Sequence, residues 1–154
     1  MVGIGYDSHR FAEGRRLVLG GVEIEHERGL AGHSDADVLT HAVIDAVLGA
    51  AGGGDIGTMF PDDDERWRDA DSIALLREVV RMVGEAGWTV GNVDATVICE
   101  APKLGPYRDR MRSALAGALL SVRLPNPAPT TKLLNVTPSS ASASVGVSAW
   151  PVNE

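Results

Sequence analysis

Cysteine is almost absent: Cys99 is the single one among 154 residues, so no disulfide can close within the chain, and a reducing, cytoplasmic setting is the expectation. Its place in an apolar, strand-like run reads as a packed thiol and not as a nucleophile. No uninterrupted apolar run approaches the roughly 20 residues that a membrane-spanning helix needs, so no membrane partner is expected. The opening MVGIGYDSHR has neither the basic start nor the long apolar core of a secretory signal. Positive charge is in deficit as well: 14 Lys and Arg face 21 Asp and Glu, for a formal net charge of −7. That balance disfavours non-specific binding to nucleic acid or anionic membrane. An enzyme acting on an anion stays open, provided that cations are concentrated locally.

What is present is the profile of a globular domain. Hydrophobic residues make up 44% and charged residues 23%, and residues 1–154 read as one domain able to bury roughly two-thirds of its unfolded surface. Segments 2–6 and 16–25 read as strands, the second bent or turned at Gly20–Gly21. Ser34 can cap a helix over 35–51, with Asp37 completing a capping-box spacing. Val38, Ala42, Asp45, Ala46 and Gly49 then share a face of small residues suited to close packing. GGGDIGTMFPDDDERWRD (52–69) reads as a loop. A second helix starts at Asp71 or Ser72, with Ile73, Leu76, Val79, Val80 and Val83 at helical spacing and Gly87 closing it. Segment 88–100 alternates as a strand with Val93, Ala95, Val97 and Cys99 on one face. After a turn at 101–106, a third helix over 107–122 carries Met111, Leu115, Leu119 and Val122. The tail predicts strands at 132–137 and 145–150 around a Ser-rich turn. This alternation indicates an α/β fold of α+β type, a two-layer sandwich of a mixed four-stranded sheet with helices on one face.

The polar clusters carry the chemistry. Asp7 and His9, one residue apart on a strand, share a face, and His41, one turn into a helix, can meet them if that helix packs beside the strand. Two imidazoles and one carboxylate leave one position of a tetrahedral Zn²⁺ open. The alternative is a turn aspartate with two buried, hydrogen-bonded histidines. His33 and Ser34 stand where helix N–H groups favour phosphate, or Ser34 is a plain cap and Asp35 and Asp37 are ordinary acids of a first helical turn. The acids of DIGTMFPDDD (55–64) are candidate hydroxyl acceptors or ligands of a hard cation such as Mg²⁺, against a solvated acidic turn. Lys103, between two prolines, is a candidate phosphate contact or a solvated lysine. Arg108, Arg110 and Arg112 read as an exposed helix face.

The order of these pieces is specific. GYDSHRF, then GGVEIEHERGLAGHSDADVLTHAVIDAVLGAAGGGDIGTMFPDDD, DADSIALLREV and GWTVGNVDATVICEAPKLGPY closely resemble the 2-C-methyl-D-erythritol 2,4-cyclodiphosphate synthase family over roughly residues 2–112. The resemblance implies a homotrimer with active sites between subunits. It implies cyclisation of 4-diphosphocytidyl-2-C-methyl-D-erythritol 2-phosphate with release of CMP, the 2-phosphate attacking its own β-phosphorus, so that no protein nucleophile is needed. Asp7, His9 and His41 would hold Zn²⁺ or another divalent cation, with Asp7 and His9 also bordering the substrate. His33 and Ser34 would contact the phosphates, His33 helping to stabilise the transition state. Asp55, Ile56 and Gly57 would meet the erythritol portion, joined by Phe60, Pro61, Asp62, Asp63 and Asp64. Cys99, Glu100, Ala101, Pro102, Lys103, Leu104 and Gly105 would form part of the cytidine pocket of a neighbouring site. A Mg²⁺ or Mn²⁺ bridging the diphosphate is also implied.

The tail over 123–154 departs from the family. A KATTTE-like strand end and a GFTGRGEG-like loop are not intact. The catalytic threonine aligns with Thr130–Thr131 or with Thr137, and the strand pattern of KLLNVT favours Thr137. A divergent subfamily with a shortened loop is the preferred explanation, a reading-frame change the other. Two further readings follow: a metal- and cytidine-nucleotide-binding trimer with impaired catalysis, or an unrelated metal-dependent hydrolase with the same triad.

Overall fold

The computed structural model describes residues 1–121, 135–137 and 142–151. The chain opens with β1 (Val2–Asp7), β2 (Phe11–Ala12), β3 (Leu17–Leu19), β4 (Val22–Ile24) and β5 (Gly29–Leu30). It continues through α1 (Val38–Ala51), α2 (Ile56–Met59), a 3-10 turn (Glu65–Trp67), α3 (Ser72–Glu85) and β6 (Trp88–Ile98). A second 3-10 turn (Gly105–Tyr107), α4 (Arg108–Leu119), β7 (Asn135–Thr137) and β8 (Ser142–Pro151) follow. β1, β8, β6 and β7 lie side by side in that order; β8 is antiparallel to both neighbours and β7 parallel to β6. β3 and β4 form one small hairpin, and β2 pairs with β5. The positions Val122, Thr130, Thr131 and Lys132 and the Ser-rich turn lie outside the described residues.

β1 inverts the usual pattern of a half-buried strand. Its small residues face inward and its large ones face out: Gly3 and Gly5 are buried, whereas Val2, Ile4 and Tyr6 are 75%, 80% and 63% exposed. A Cβ at Gly3 would lie 2.0 Å from the Ala46 carbonyl oxygen, and one at Gly5 would lie 1.9 Å from that of Ala42. Glycine therefore lets α1 rest directly on the strand backbone. Of the small-residue face read from sequence, Ala42 and Ala46 do meet β1. Gly49 does not, since a Cβ there would touch nothing within 4 Å. α1 is apolar nearly all round, because α3 covers the side away from the sheet. Leu39, Ile44 and Leu48 are fully buried with Leu76 and Val79 of α3.

The start of α1 and the segment 52–69 differ from the sequence reading. α1 begins at Val38, capped by Asp37, and not at 35 under Ser34. Ala36 explains the difference: its φ of 57° is left-handed and breaks the helix just before the cap. Segment 16–25 does turn at Gly20–Gly21, where φ is 55° and 71°, and its two halves pair as a short hairpin. Segment 52–69 is not a featureless loop, because Asp55 caps α2 and Asp64 caps the first 3-10 turn through their side chains. α3 begins where expected, Asp71 accepting from the Ile73 N–H. Arg108, Arg110 and Arg112 are exposed on α4, as their spacing suggested.

Candidate functional site

Asp37 organises the corner from which the site is built. One carboxylate oxygen accepts from the Gly20 N–H (2.8 Å) and the Thr40 N–H (3.0 Å), the other from the Gly21 N–H (2.7 Å) and the Thr40 hydroxyl (2.7 Å). It thereby ties the β3–β4 turn to the start of α1, and its own carbonyl accepts from the His41 N–H at 2.9 Å. Residues 33–35 are clamped in turn to the approach to α3: the Asp69 N–H donates to the His33 carbonyl and the Asp35 N–H to that of Ala70.

This scaffold brings His41, in the first turn of α1, against the end of β1. Its Nδ1 lies 3.1 Å from Asp7 Oδ2, while His9 Nδ1 is 3.4 Å from Asp7 Oδ1. The two imidazoles meet edge to face at 5.4 Å between centroids. One ligand atom from each of the three residues falls within 4.8 Å of the others. A half-buried carboxylate and imidazole with a second, buried imidazole at such a separation are a donor set for a divalent cation. Burial would raise the Asp7 pKa, but hydrogen bonds from His41 and His9 reverse this and hold it well below the usual carboxylate range. Burial would likewise lower His9, and its bond to Asp7 outweighs that and raises it. The triad is thus an anion held between two imidazoles, each with a nitrogen turned toward it.

A cleft of about 360 Å³ opens from the triad. His33, Ser34, Ile56, Gly57, Phe60 and Asp62 line it beside Asp7, His9 and His41. Among the described residues no Lys or Arg lines it, so a bound anion would find no fixed side-chain cation from them. Other residues singled out by sequence lie elsewhere. Asp55 caps α2 by accepting from the Thr58 N–H at 2.7 Å, and Asp64 pairs with Arg66. Pro61 and Asp63 are not part of the lining. Cys99, Ala101 and Pro102 line a separate small apolar crevice with Phe11 and Leu17. Glu100, Lys103 and Gly105 are exposed and Leu104 is buried beside them. Thr137 ends β7, paired with Ile98.

Sequence reasoning missed four contributors. Asp45 lines the cleft and accepts the Ile56 N–H at 2.8 Å. Burial pushes its carboxyl up, and the nearby Asp55 and Asp7 add to that. Its signal was available: it sits four residues after His41, one helical turn along the same face. Trp67 packs edge to face on Phe60 at 4.9 Å and forms part of the cleft wall. Ser72, fully buried, touches His41 Nε2 at 2.9 Å and donates its hydroxyl hydrogen to Asp35. Only the folded corner brings those two near the triad.

The profile of the YgbB family matches residues 1–134. The 2-C-methyl-D-erythritol 2,4-cyclodiphosphate synthase of Salinibacter ruber is 63% identical over 118 residues, covering 77% of this chain and 75% of that protein. The synthase of Rubrobacter xylanophilus is 66% identical over 121 residues, covering 77% and 73%. A solved structure of a 2C-methyl-D-erythritol-2,4-cyclodiphosphate synthase in a CDP-bound form superposes with a TM-score of 0.83 at 36% identity. That superposition covers 97% of this chain and 99% of the other, so the likeness of fold runs past residue 134, where the profile stops. With its ordered motifs, its glycine-faced first strand and its Asp7–His9–His41 cluster, the chain belongs to the YgbB family, that of the 2-C-methyl-D-erythritol 2,4-cyclodiphosphate synthases.

Proposed function

We propose that the protein converts 4-diphosphocytidyl-2-C-methyl-D-erythritol 2-phosphate into 2-C-methyl-D-erythritol 2,4-cyclodiphosphate and CMP. The observation that carries this reading is the meeting of Asp7, His9 and His41 in a cleft that no described Lys or Arg lines, in a chain of this family. An oxygen of the 2-phosphate forms a bond to the β-phosphorus, the bond from that phosphorus to the bridging oxygen breaks, and CMP leaves with the α-phosphate. The nucleophile belongs to the substrate. The protein has only to fold the substrate into line and offset charge, which is where phosphoryl transfer gains most of its rate.

Asp7, His9 and His41 would hold the divalent cation, Zn²⁺ in this proposal, and a Mg²⁺ or Mn²⁺ would accompany the diphosphate. When bound, such cations supply the Lewis acidity and positive charge that the described side chains of the cleft lack. His33 and Ser34 border the cleft as phosphate donors. Ile56 and Gly57, at the start of α2, border the erythritol portion with Phe60 and Asp62. Asp55, Pro61, Asp63 and Asp64, outside the lining of the cleft, would join them in contacting the substrate. Thr137, at the end of β7, is assigned the catalytic threonine role.

The reading includes a homotrimer in the cytoplasm, within a single domain. Two observations support assembly: the exposed apolar stripe of Val2, Ile4 and Tyr6 on β1, and the position of 99–105 outside the cleft it would complete. That segment would serve the cytidine of a neighbouring subunit's substrate. A catalytically impaired cytidine-nucleotide binder is a second reading, favoured by the profile match ending at residue 134. One assay separates them. Protein loaded with Zn²⁺ and Mg²⁺ is expected to release CMP stoichiometrically with cyclic diphosphate. Tight CMP binding without turnover would leave only the second reading, and the absence of both CMP release and CMP binding would reject both.

A further inference from the structure

The hydrogen bonds behind His41 run in one direction, and that direction selects the atom it offers to a cation. Asp35 receives two fixed backbone donors, the Ser72 N–H at 3.0 Å on Oδ2 and the Asp37 N–H at 3.2 Å on Oδ1. Both oxygens therefore act as acceptors. The Ser72 hydroxyl also meets Oδ1, and its only hydrogen goes there. Having spent that hydrogen, Ser72 Oγ faces His41 Nε2 at 2.9 Å with a lone pair alone. Two lone pairs at that distance repel, so Nε2 must carry the proton. Nδ1, 3.1 Å from Asp7, is left as the nitrogen facing the other two members of the cluster.

We infer that Ser72 and Asp35 are positioning residues of the metal centre: they fix His41 as the Nε2–H tautomer and so make Nδ1 its ligand atom. The inference rests on the triad holding a divalent cation, as proposed above. Ser72 is fully buried, so water cannot take over its role as acceptor. Ser34 lies 3.0 Å from the same Nε2 and already accepts from the Ala36 N–H at 3.2 Å. With Nε2 protonated, Ser34 has no call to donate to it, and its hydroxyl hydrogen is released toward the cleft that it lines. One relay thus sets two polarities, a lone pair toward the cation and a hydroxyl donor toward an anionic oxygen. Partners of this kind behind a ligating histidine raise metal affinity by about 10–100-fold.

The test uses Zn²⁺ alone as probe. In the wild-type zinc-loaded protein, a one-bond ¹H–¹⁵N spectrum of the imidazoles is expected to show a slowly exchanging proton on His41 Nε2. A proton on Nδ1, or zinc bound through Nε2, would overturn the inference. Zinc affinity, read by competition with a chromophoric chelator, is expected to fall about 10–100-fold in Ser72→Ala, with the Nε2 proton exchanging faster. Unchanged affinity together with an unchanged proton would mean that Ser34 suffices, and would overturn it equally. If Ser72→Ala does not fold, the wild-type spectrum decides alone. Wild-type protein that binds no zinc would refute the metal reading itself, whereas zinc bound with the wrong tautomer removes only the relay.

Discussion

Asp37→Asn changes almost no volume, yet the structure predicts a large cost. Each carboxylate oxygen of Asp37 faces at least one backbone N–H: Gly20 and Thr40 on one, Gly21 on the other. An asparagine must put its NH₂ against one side. Turned toward Gly21 it orphans one fixed donor, while the Thr40 hydroxyl can rotate to accept; turned the other way it orphans two. The better orientation still leaves a buried N–H unsatisfied at about 1–3 kcal/mol, and it weakens two charge-assisted bonds to neutral ones at about 1 kcal/mol each. Burial pushes the Asp37 carboxyl up, so removing the charge returns part of that cost. The net expectation is a loss of about 2–4 kcal/mol, or roughly 5–15 °C in Tm for a chain of this size. Chemical denaturation and calorimetry on the same sample measure it. Because the Asp37 carbonyl also holds the His41 N–H, zinc affinity should fall alongside stability. A variant within about 0.5 kcal/mol of wild type, the range of ordinary surface substitutions, would refute the claim that this carboxylate's four bonds are mutually exclusive with an amide.

Gly5→Ala would place a Cβ 1.9 Å from the Ala42 carbonyl oxygen, and backbone cannot yield as a side chain can. A loss of at least about 3 kcal/mol is expected, measured by urea unfolding. Gly49→Ala is the opposite control: it sits inside α1 with open space around its Cβ position and should gain about 0.5–1 kcal/mol. His41→Ala should bring bound zinc, measured by mass spectrometry, to background while most of the melting temperature is kept. Full zinc content with a large loss of stability would return the residue to a core histidine. Burial pushes the Cys99 thiol up, so alkylation by iodoacetamide at neutral pH should be slow in folded protein, speeding up in denaturant or well above neutral pH. Rapid stoichiometric labelling at pH 7 would contradict its packing.

The described elements through α4 were legible wherever a period ran long enough. The stripe Ile73, Leu76, Val79, Val80 and Val83 identifies α3, and the alternation of Val93, Ala95 and Val97 identifies β6, because a face buried against one neighbour leaves its period in the residues. The failures have physical causes. Ser34 matched a capping pattern, but Asp37 has three partners in distant sequence or in the helix itself, and the left-handed Ala36 shuts the helix off from Ser34. β1 was read as a strand, yet nothing local shows that its glycines face inward and its valine, isoleucine and tyrosine outward. That inversion depends on α1 lying on it.

The candidate site divides along the same line. Asp7, His9 and His41 were visible because a D-x-H spacing and a histidine in a helical first turn are local patterns, and only one packing contact, α1 on β1, was needed to join them. The residues that orient them were invisible because they are non-local. Ser72 lies 31 positions from His41, and Asp35 lies 37 from Ser72. Their sequence signatures, a serine after an N-cap aspartate and an aspartate before a helix, have ordinary explanations that compete with any other role. The stretch HSDADVLTH therefore serves in two ways. Asp37 starts the helix, Asp35 accepts from the Ser72 N–H at the start of α3 and sets the polarity of a relay, and His33, Ser34 and His41 face the cleft. Because each of these polar groups answers a different fixed donor, acceptor or ligand position, a single change between Ser34 and His41 should be read in both stability and metal affinity. Replacing Arg108, Arg110 or Arg112, exposed on α4 and touching none of these groups, should move neither.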